Sequence, residues 1–368
     1  MSEWKNQKLG DVLEIKYGKD HKKLSIGETP CYGSGGIMRY VNKHLYDKES
    51  ILIPRKGSLN NIYYINKPFW TVDTLFWSKI DTEKVFPKFL FYQLTEIDFT
   101  RLNVGSAVPS LTVQVLNEIN INVPKLSTQK NIAEILSSLD DKIDLLHSQN
   151  KTLEGMAETL YDSWVFEKDY DSTIKDFIDV QNGYAFKSKS FQDFGSHRVL
   201  KIKNISGGIV DIQTSDFVSD ETVLRIDEKF KIKTGDVLFA MTGAKIGKMG
   251  IIPQTESSLW LNQRVGLFKE KYTGSRFLAY LHLKSDFGFD YIENTATGSA
   301  QPNISGTGIE NCEFPKFDVE EIKKHSEQLE LLYGKVFFNL GQIRTIEKIR
   351  ETLLPKLMNQ EINLINDL

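Results

Sequence analysis

The sequence predicts an α+β protein: two similar mixed α/β heads separated by an antiparallel pair of long helices, with the whole written as a pseudo-twofold internal repeat. Three observations carry this. The segment Gly105-Ser106-Ala107-Val108-Pro109-Ser110-Leu111-Thr112 returns as Gly298-Ser299-Ala300-Gln301-Pro302-Asn303-Ile304-Ser305, a shift of 193 residues. The same shift superimposes the helical stretch after each copy, pairing Gln149 with Gln342, Glu154 with Glu347 and Leu160 with Leu353. A shift of 165 aligns the openings, Leu9-Gly10-Asp11-Val12-Leu13-Glu14-Ile15 against Ile174-Lys175-Asp176-Phe177-Ile178-Asp179-Val180, each closed by a glycine, Gly18 and Gly183. Two long copies are too few for a solenoid. They suggest two related domains addressing two similar but non-identical targets.

Taken in order, residues 1–125 form the first head. Ser50-Ile51-Leu52-Ile53-Pro54, Tyr63-Tyr64-Ile65 and Leu75-Phe76-Trp77 are β-rich runs, and residues 87–96 read as a short amphipathic helix opened by Pro87. Residues 126–168 form the first helical spacer, after Pro124, with Ser127 or Thr128 as N-cap. Its inward positions Ile132, Leu136, Leu139, Ile143, Leu146, Asn150, Leu153, Ala157, Leu160 and Trp164 keep a heptad. Residues 169–317 form the second head, with strands at Val237-Leu238-Phe239-Ala240, Met249-Gly250-Ile251-Ile252 and Val265-Gly266-Leu267-Phe268 and a helix over 275–284. Residues 318–368 form the second spacer, capped by Asp318 and kinked or ended by Pro355. Its seam reads His325, Leu329, Leu332, Val336, Asn339, Ile343, Ile346, Arg350, Leu353 and Leu357. Asn150 interrupts the first seam; it either fixes register or lies at a solvated edge. As a helix, residues 132–164 span about 48 Å at about 1.5 Å per residue. A compact second head brings its termini together, so the helices run antiparallel and the whole is expected to be a dumbbell.

Composition sets limits. The chain has 368 residues, 40% hydrophobic and 26% charged, as in an ordinary globular protein with room for two or three domains. It has no apolar run of membrane-spanning length and no signal-peptide pattern at Met1-Ser2-Glu3-Trp4-Lys5-Asn6, so a cytoplasmic location is expected. Two isolated cysteines, Cys31 and Cys312, make neither a disulfide framework nor a zinc site. Net charge is −3, which by itself argues against nucleic acid. Residues 1–125, however, hold 17 Lys and Arg against 13 Asp and Glu, so the first head is basic.

The search for catalysis finds no phosphate-binding loop, no nucleophile elbow and no zinc-protease helix, and the six histidines lack metal-ligand spacing. The chain is expected to be no enzyme. What it carries instead is a repeated strand–turn–strand element. In the first head this is Ile51-Leu52-Ile53-Pro54-Arg55-Lys56-Gly57-Ser58-Leu59-Asn60-Asn61-Ile62-Tyr63-Tyr64, and in the second Val237-Leu238-Phe239-Ala240-Met241-Thr242-Gly243-Ala244-Lys245-Ile246-Gly247-Lys248-Met249-Gly250. The scaffold is shared and the turn residues differ. Arg, Lys, Asn and Gln are side chains that read base edges or phosphates, although a solvated hairpin turn uses the same residues.

These features resemble the DNA-specificity subunit of type I restriction-modification systems. The marks are Tyr32-Gly33-Ser34-Gly35-Gly36-Ile37, Ile53-Pro54-Arg55-Lys56-Gly57-Ser58 and Val72-Asp73-Thr74 in the first head. In the second they are Asn182-Gly183-Tyr184-Ala185-Phe186, Leu238-Phe239-Ala240-Met241-Thr242-Gly243 and Leu261-Asn262-Gln263-Arg264. The Gly-Ser-Ala-x-Pro loops and the helix opening Gln129-Lys130-Asn131-Ile132-Ala133 add to them. The resemblance implies two target-recognition domains, each reading one half of a split, asymmetric double-stranded DNA site. It implies a helical spacer on which two modification (methyltransferase) subunits dock, and a restriction subunit that can join them. S-adenosylmethionine, ATP and Mg then belong to the partner subunits, and this chain needs no cofactor or metal. The candidate DNA contacts are Ser34, Arg39, Arg55, Lys56, Ser58, Asn60 and Asn61 in the first head. In the second they are Lys201, Lys203, Asn204, Thr242, Lys245, Lys248, Gln263 and Arg264. The candidate partner contacts are Gln129, Ile132, Leu136, Leu329 and Leu332. The second helix opens as Val319-Glu320-Glu321-Ile322 and lacks the glutamine of the first, so docking at the two ends need not be equal. A two-headed structural module and an orphan DNA-binding regulator are the competing readings.

Overall fold

A computed structural model describes residues 4–298 and 301–362; Ser299 and Ala300 of the second Gly-Ser-Ala loop lie outside the described residues. The chain divides into two units, Met1–Lys142 with Ile346–Leu368, and Ile143–Thr345. The divisions fall inside the two long helices, so each unit is one head with its share of both.

In the first unit, β1 (Lys5–Lys8) pairs with β9 (Asn120–Val123) and closes the head at its base. The central antiparallel sheet has the order β2 (Leu13–Tyr17), β8 (Leu75–Ile80), β5 (Ser50–Pro54), β6 (Tyr63–Ile65). A second sheet has the order β4 (Gly36–Val41), β3 (Ile26–Gly33), β7 (Trp70–Thr71), with β3 and β7 parallel. Every residue of β5 is buried, and its polar Ser50 is satisfied: Oγ donates to the Ser78 carbonyl at 2.8 Å and accepts from the Ser78 amide at 3.0 Å. Helix α1 (Pro87–Thr95) opens on Pro87, where a missing N–H costs nothing, and drives Phe89, Leu90 and Leu94 into the core. The short α2 (Val113–Asn117) leads through β9 into α3 (Leu126–Val165).

The second unit repeats the plan. Here β10 (Ser172–Thr173) pairs with β20 (Glu313–Phe314), and the central sheet has the order β11 (Ile178–Asn182), β19 (Val265–Glu270), β16 (Val237–Ala240), β17 (Met249–Ile251). That is the β2-β8-β5-β6 order of the first head, strand for strand. The second sheet is larger: β12 (Phe191–Gln192), β14 (Asp216–Val218), β13 (His197–Leu200), β18 (Ser258–Leu261), β15 (Lys231–Ile232). Its parallel pair β13–β18 matches β3–β7. The helices are α4 (Asp220–Val223), α5 (Ser275–Lys284), α6 (Asp286–Thr295), α7 (Gly306–Glu310) and α8 (Val319–Met358). The strands expected at 50–54, 63–65 and 237–240 and the helix at 275–284 therefore form in place. The smaller strands of the second sheets carry too little apolar alternation to be seen in the sequence.

All twenty seam positions of the two long helices are buried or half-buried. Within the second unit, the Trp164 ring stacks on His325 at 4.0 Å and Asn339 Nδ2 donates to Asn150 Oδ1 at 2.9 Å, so α3 and α8 pass each other in opposite directions there. Asn150 is thus inside the seam, not at a solvated edge: it is 6% exposed and its partner Asn339 0%. In the first unit Arg350 pairs with Asp140 at 2.7 Å. Asp318 caps α8, its Oδ1 accepting from the Glu321 amide at 2.8 Å while Glu321 Oε2 accepts from the Asp318 amide at 3.0 Å. Ser127 and Thr128 do not cap α3, because the helix already begins at Leu126.

Candidate nucleic-acid interface

The two repeated motifs meet in space, by the same backbone bonds in both heads. In the first head the Gly57 amide donates to Pro109 O at 3.1 Å and the Leu111 amide to Arg55 O at 2.9 Å, which docks the Gly-Ser-Ala loop on the exit of β5. In the second the Gly243 amide donates to Pro302 O at 2.9 Å and the Ile304 amide to Met241 O at 3.0 Å. A third element joins them. The tight turn closed by Leu75 N–H to Val72 O (3.1 Å) corresponds to that closed by Val265 N–H to Asn262 O (2.9 Å). Each turn is held to its neighbour in the same way, Arg55 N–H to Thr74 O at 2.8 Å and Met241 N–H to Arg264 O at 3.2 Å.

This register equates Asp73 and Thr74 with Gln263 and Arg264. Sequence alone points to the second pair and not the first, because the shift between the copies drifts from 165 to 193 along the chain and hides the match. Gly18 and Gly183 fix the close approach beside these turns. A Cβ at Gly18 would lie 2.0 Å from Val72 O, and one at Gly183 2.3 Å from Asn262 O.

Each turn borders an open cleft. In the first head a cleft of about 710 Å³ is lined by His21, Lys22, Ser34, Met38, Asp73 and Thr74 among others. In the second, one of about 370 Å³ is lined by Asn182, Thr242, Gln263, Arg264, Asn303 and Ser305. The same scaffold thus offers an acidic and hydroxyl pair in one head and an amide and guanidinium pair in the other.

The structure sorts the candidate DNA contacts. Lys56, Ser58, Lys248, Gln263 and Arg264 are exposed, and among the described residues their side chains make no hydrogen bond or ion pair. Ser34, Asn61 and Arg55 lie at the first cleft or against it: Asn61 Nδ2 donates to Ser34 O at 3.3 Å, and Arg55 donates to Asp73 O at 3.3 Å. Others bond within their own head; of these only Asn204 is fully buried, and its assignment is corrected. Asn204 is fully buried; its Oδ1 accepts from the Lys201 amide at 2.9 Å and its amide donates to Thr214 Oγ1 at 3.2 Å. Thr242 is largely buried but lines the second cleft. Lys245 donates to the carbonyls of Lys203 and Ile205, both at 2.9 Å, and pins a loop. Lys201 and Lys203 pair with Asp216 at 2.8 and 2.7 Å; burial pushes that carboxyl's pKa up, but the two ammonium groups outweigh it and hold it low. Asn60 braces Asp98 and the Phe99 amide, at 3.2 and 2.9 Å. Arg39 is half-buried and ties its strand to Leu24 O at 3.1 Å.

The candidate partner contacts are also corrected. Gln129 is fully buried, accepting from the Phe86 amide at 2.6 Å and donating to Pro124 O at 2.8 Å, which satisfies the head's own backbone. Ile132 and Leu136 belong to the core of the first unit, Leu329 to that of the second, and Leu332 is half-buried against it. A heptad stripe selects the inside of a helix pair, so these residues lie on the wrong face for a partner.

Comparison with known proteins decides what this duplicated frame is. The profile of the type I restriction modification DNA specificity domain matches twice, over residues 1–155 and 167–348. The chain belongs to this family. It is 25% identical to the type I restriction enzyme MjaVIII specificity subunit of Methanocaldococcus jannaschii, over 99% of this chain and 94% of that protein. It is 23% identical to the MjaIX specificity subunit of the same organism, over 86% and 78%. In fold it is similar to the crystal structure of a type I restriction-modification S subunit from M. genitalium, with a TM-score of 0.67 and 16% identity over 97% and 96% of the two chains. The specificity chain therefore serves DNA recognition in type I restriction-modification, and each family match coincides with one head and its following helix. No helix among the described residues is long and apolar enough to cross a membrane.

Proposed function

We propose that each head of this specificity chain reads one half of a bipartite, asymmetric duplex site, while the paired helices hold the heads at a set separation. The carrying observation is the exact-order repeat of the central sheet, with matched backbone bonds, presenting Asp73–Thr74 in one head and Gln263–Arg264 in the other. One frame with two chemistries is what two different half-sites require. Arg and Gln make bidentate contacts to guanine and adenine, whereas a carboxylate accepts from an exocyclic amine such as that of cytosine.

The residues 1–125 and 169–317 act as target-recognition domains, and 126–168 with 318–368 as a coiled-coil spacer. Two modification subunits dock on that spacer and supply adenine-N6 methyl transfer from S-adenosylmethionine. A restriction subunit, where it joins, brings the ATP- and Mg-dependent steps, and the assembly works on DNA in the cytoplasm. With Gln129, Ile132 and Leu136 inside the first unit, docking falls to the exposed apolar residues of the helices, such as Leu145 and Met156 on α3 and Leu331 and Phe338 on α8.

The test is a methyl-transfer assay on duplex DNA. The purified chain is expected to transfer nothing, its modification subunits alone to show no sequence preference, and the mixture to methylate one bipartite motif. Sequence-specific methylation by the modification subunits without this chain would remove the proposal.

A further inference from the structure

We infer that the first head grips DNA through the hairpin β3–β4 and the lysine loop that precedes it. The inference rests on the half-site reading above and names the part of the first head that does the reading. The two heads share their central sheets, so what distinguishes one half-site from the other must lie largely in what they do not share. The heads diverge most in the insertion between β2 and β5, built around the hairpin, whose sheet has three strands where that of the second head has five.

Charge marks this insertion. Residues 18–46 carry Lys19, Lys22, Lys23, Arg39 and Lys43 against Asp20 and Glu28. The four lysines are exposed, and among the described residues none has an ion-pair partner. The corresponding insertion of the second head is neutralised only in part: Lys201 and Lys203 face Asp216, Arg225 faces Glu221, Lys229 faces Asp227 and Lys231 faces Glu228, while Lys187, Lys189 and Lys233 are exposed without an ion-pair partner among the described residues. Unpaired lysines at fixed places are what a run of phosphates attracts.

Shape and surface agree with charge. A two-stranded ribbon fits the major groove, about 12 Å wide. Strand β4 is the edge of its sheet, yet its outward residues are apolar: Ile37, Met38 and Tyr40 are 50%, 58% and 51% exposed. Edge strands are ordinarily blunted by charge or covered, so an apolar edge flanked by lysines points to a ligand both anionic and apolar in parts. Duplex DNA has that character, with phosphates at the groove walls and thymine methyl groups on its floor. Two bulges twist the hairpin, and its tip is small and open, since a Cβ at Gly35 or Gly36 would meet nothing within 4 Å. The tip is also braced, Tyr63 Oη donating to Ser34 O at 3.0 Å. A braced ribbon loses little entropy when it docks.

The experiment uses the full chain with its modification subunits and a pool of random-sequence DNA duplexes, selected for binding and sequenced. Binding of a fixed duplex is followed against salt. Replacing Lys19, Lys22 and Lys23 by Gln should weaken binding about tenfold at physiological salt and make the log–log salt slope shallower by about 2 to 3. Met38→Ala should relax base preference about tenfold at positions in one half-motif and leave the other half unchanged. If the wild-type assembly selects no motif, the half-site reading fails and the inference with it. If it selects a bipartite motif that Met38→Ala preserves, with an unchanged salt slope in the lysine variant, the hairpin assignment alone is overturned. The hairpin assignment is likewise overturned if either variant releases a protein partner while motif and slope persist.

Discussion

Gly18 and Gly183 stand at the same place in the two heads, and neither can carry a side chain without displacing the turn that presents Asp73–Thr74 or Gln263–Arg264. Their obstacle is a backbone carbonyl, which cannot rotate away as a side chain can. Gly183→Ala should therefore cost about 1 to 3 kcal/mol and lower the unfolding temperature of the second head. Gly35→Ala, built into open space, should stay within about 0.5 kcal/mol; equal effects in thermal unfolding would refute the matched-turn geometry. A second residue ties stability to pH. His282 is fully buried, its Nε2 donating to the Glu313 carbonyl at 2.7 Å and its Nδ1 accepting from Tyr161 Oη at 2.6 Å. Burial pushes its pKa down to about 4, against the partial opposing pull of the Glu313 carbonyl. The unfolded chain thus takes up a proton that the folded chain refuses. The stability this confers is whole above about pH 6.5 and is lost as pH falls towards 4. The loss is on the order of 3 kcal/mol at most, and His282→Gln should flatten that part of the unfolding profile between those pH values.

At the scale of elements, the helix pair is where the spacer idea meets physical constraint. Asn150 and Asn339 bond inside the seam, and a buried amide that loses its partner is costly, so the pair resists any slip of α3 against α8. An insertion in α3 alone would take Asn150 away from Asn339. A matched change, seven residues after Leu146 in α3 and seven before Ile343 in α8, keeps the heptad and adds about 10 Å. The methylated motif should then tolerate about three more base pairs between its halves, at about 3.4 Å per pair. A motif of unchanged spacing would refute the ruler. The heptads are legible in the sequence because a long periodic stripe records burial directly, and the strands at 50–54 and 237–240 because they are continuously apolar. The β3–β4 hairpin is not: Thr29, Pro30 and Cys31 pair through bulges, with no alternation to read. The partner contacts fail for a related reason, since the heptad reports what faces inward.

At the scale of the whole molecule, net charge says little, because the unpaired cations are local. Among the described residues, the exposed cations without an ion-pair partner include Lys19, Lys22, Lys23 and Lys43 in the hairpin insertion of the first head and Arg264 and Lys248 in the shared frame of the second. The doubling of the chain is plain from sequence. Its residue-level register comes only from the backbone bonds that equate Asp73 with Gln263, and that register is what lets one head be altered with the other as its control. The central claim, that each head reads its own half-site, is tested most directly by sequencing the methylated DNA of cells that express this chain with its modification subunits, as wild type and as Gln263→Ala with Arg264→Ala. A bipartite motif that changes in one half only, with its other half and its spacing preserved, is the predicted result. A continuous motif, or one that changes in both halves at once, would contradict the account.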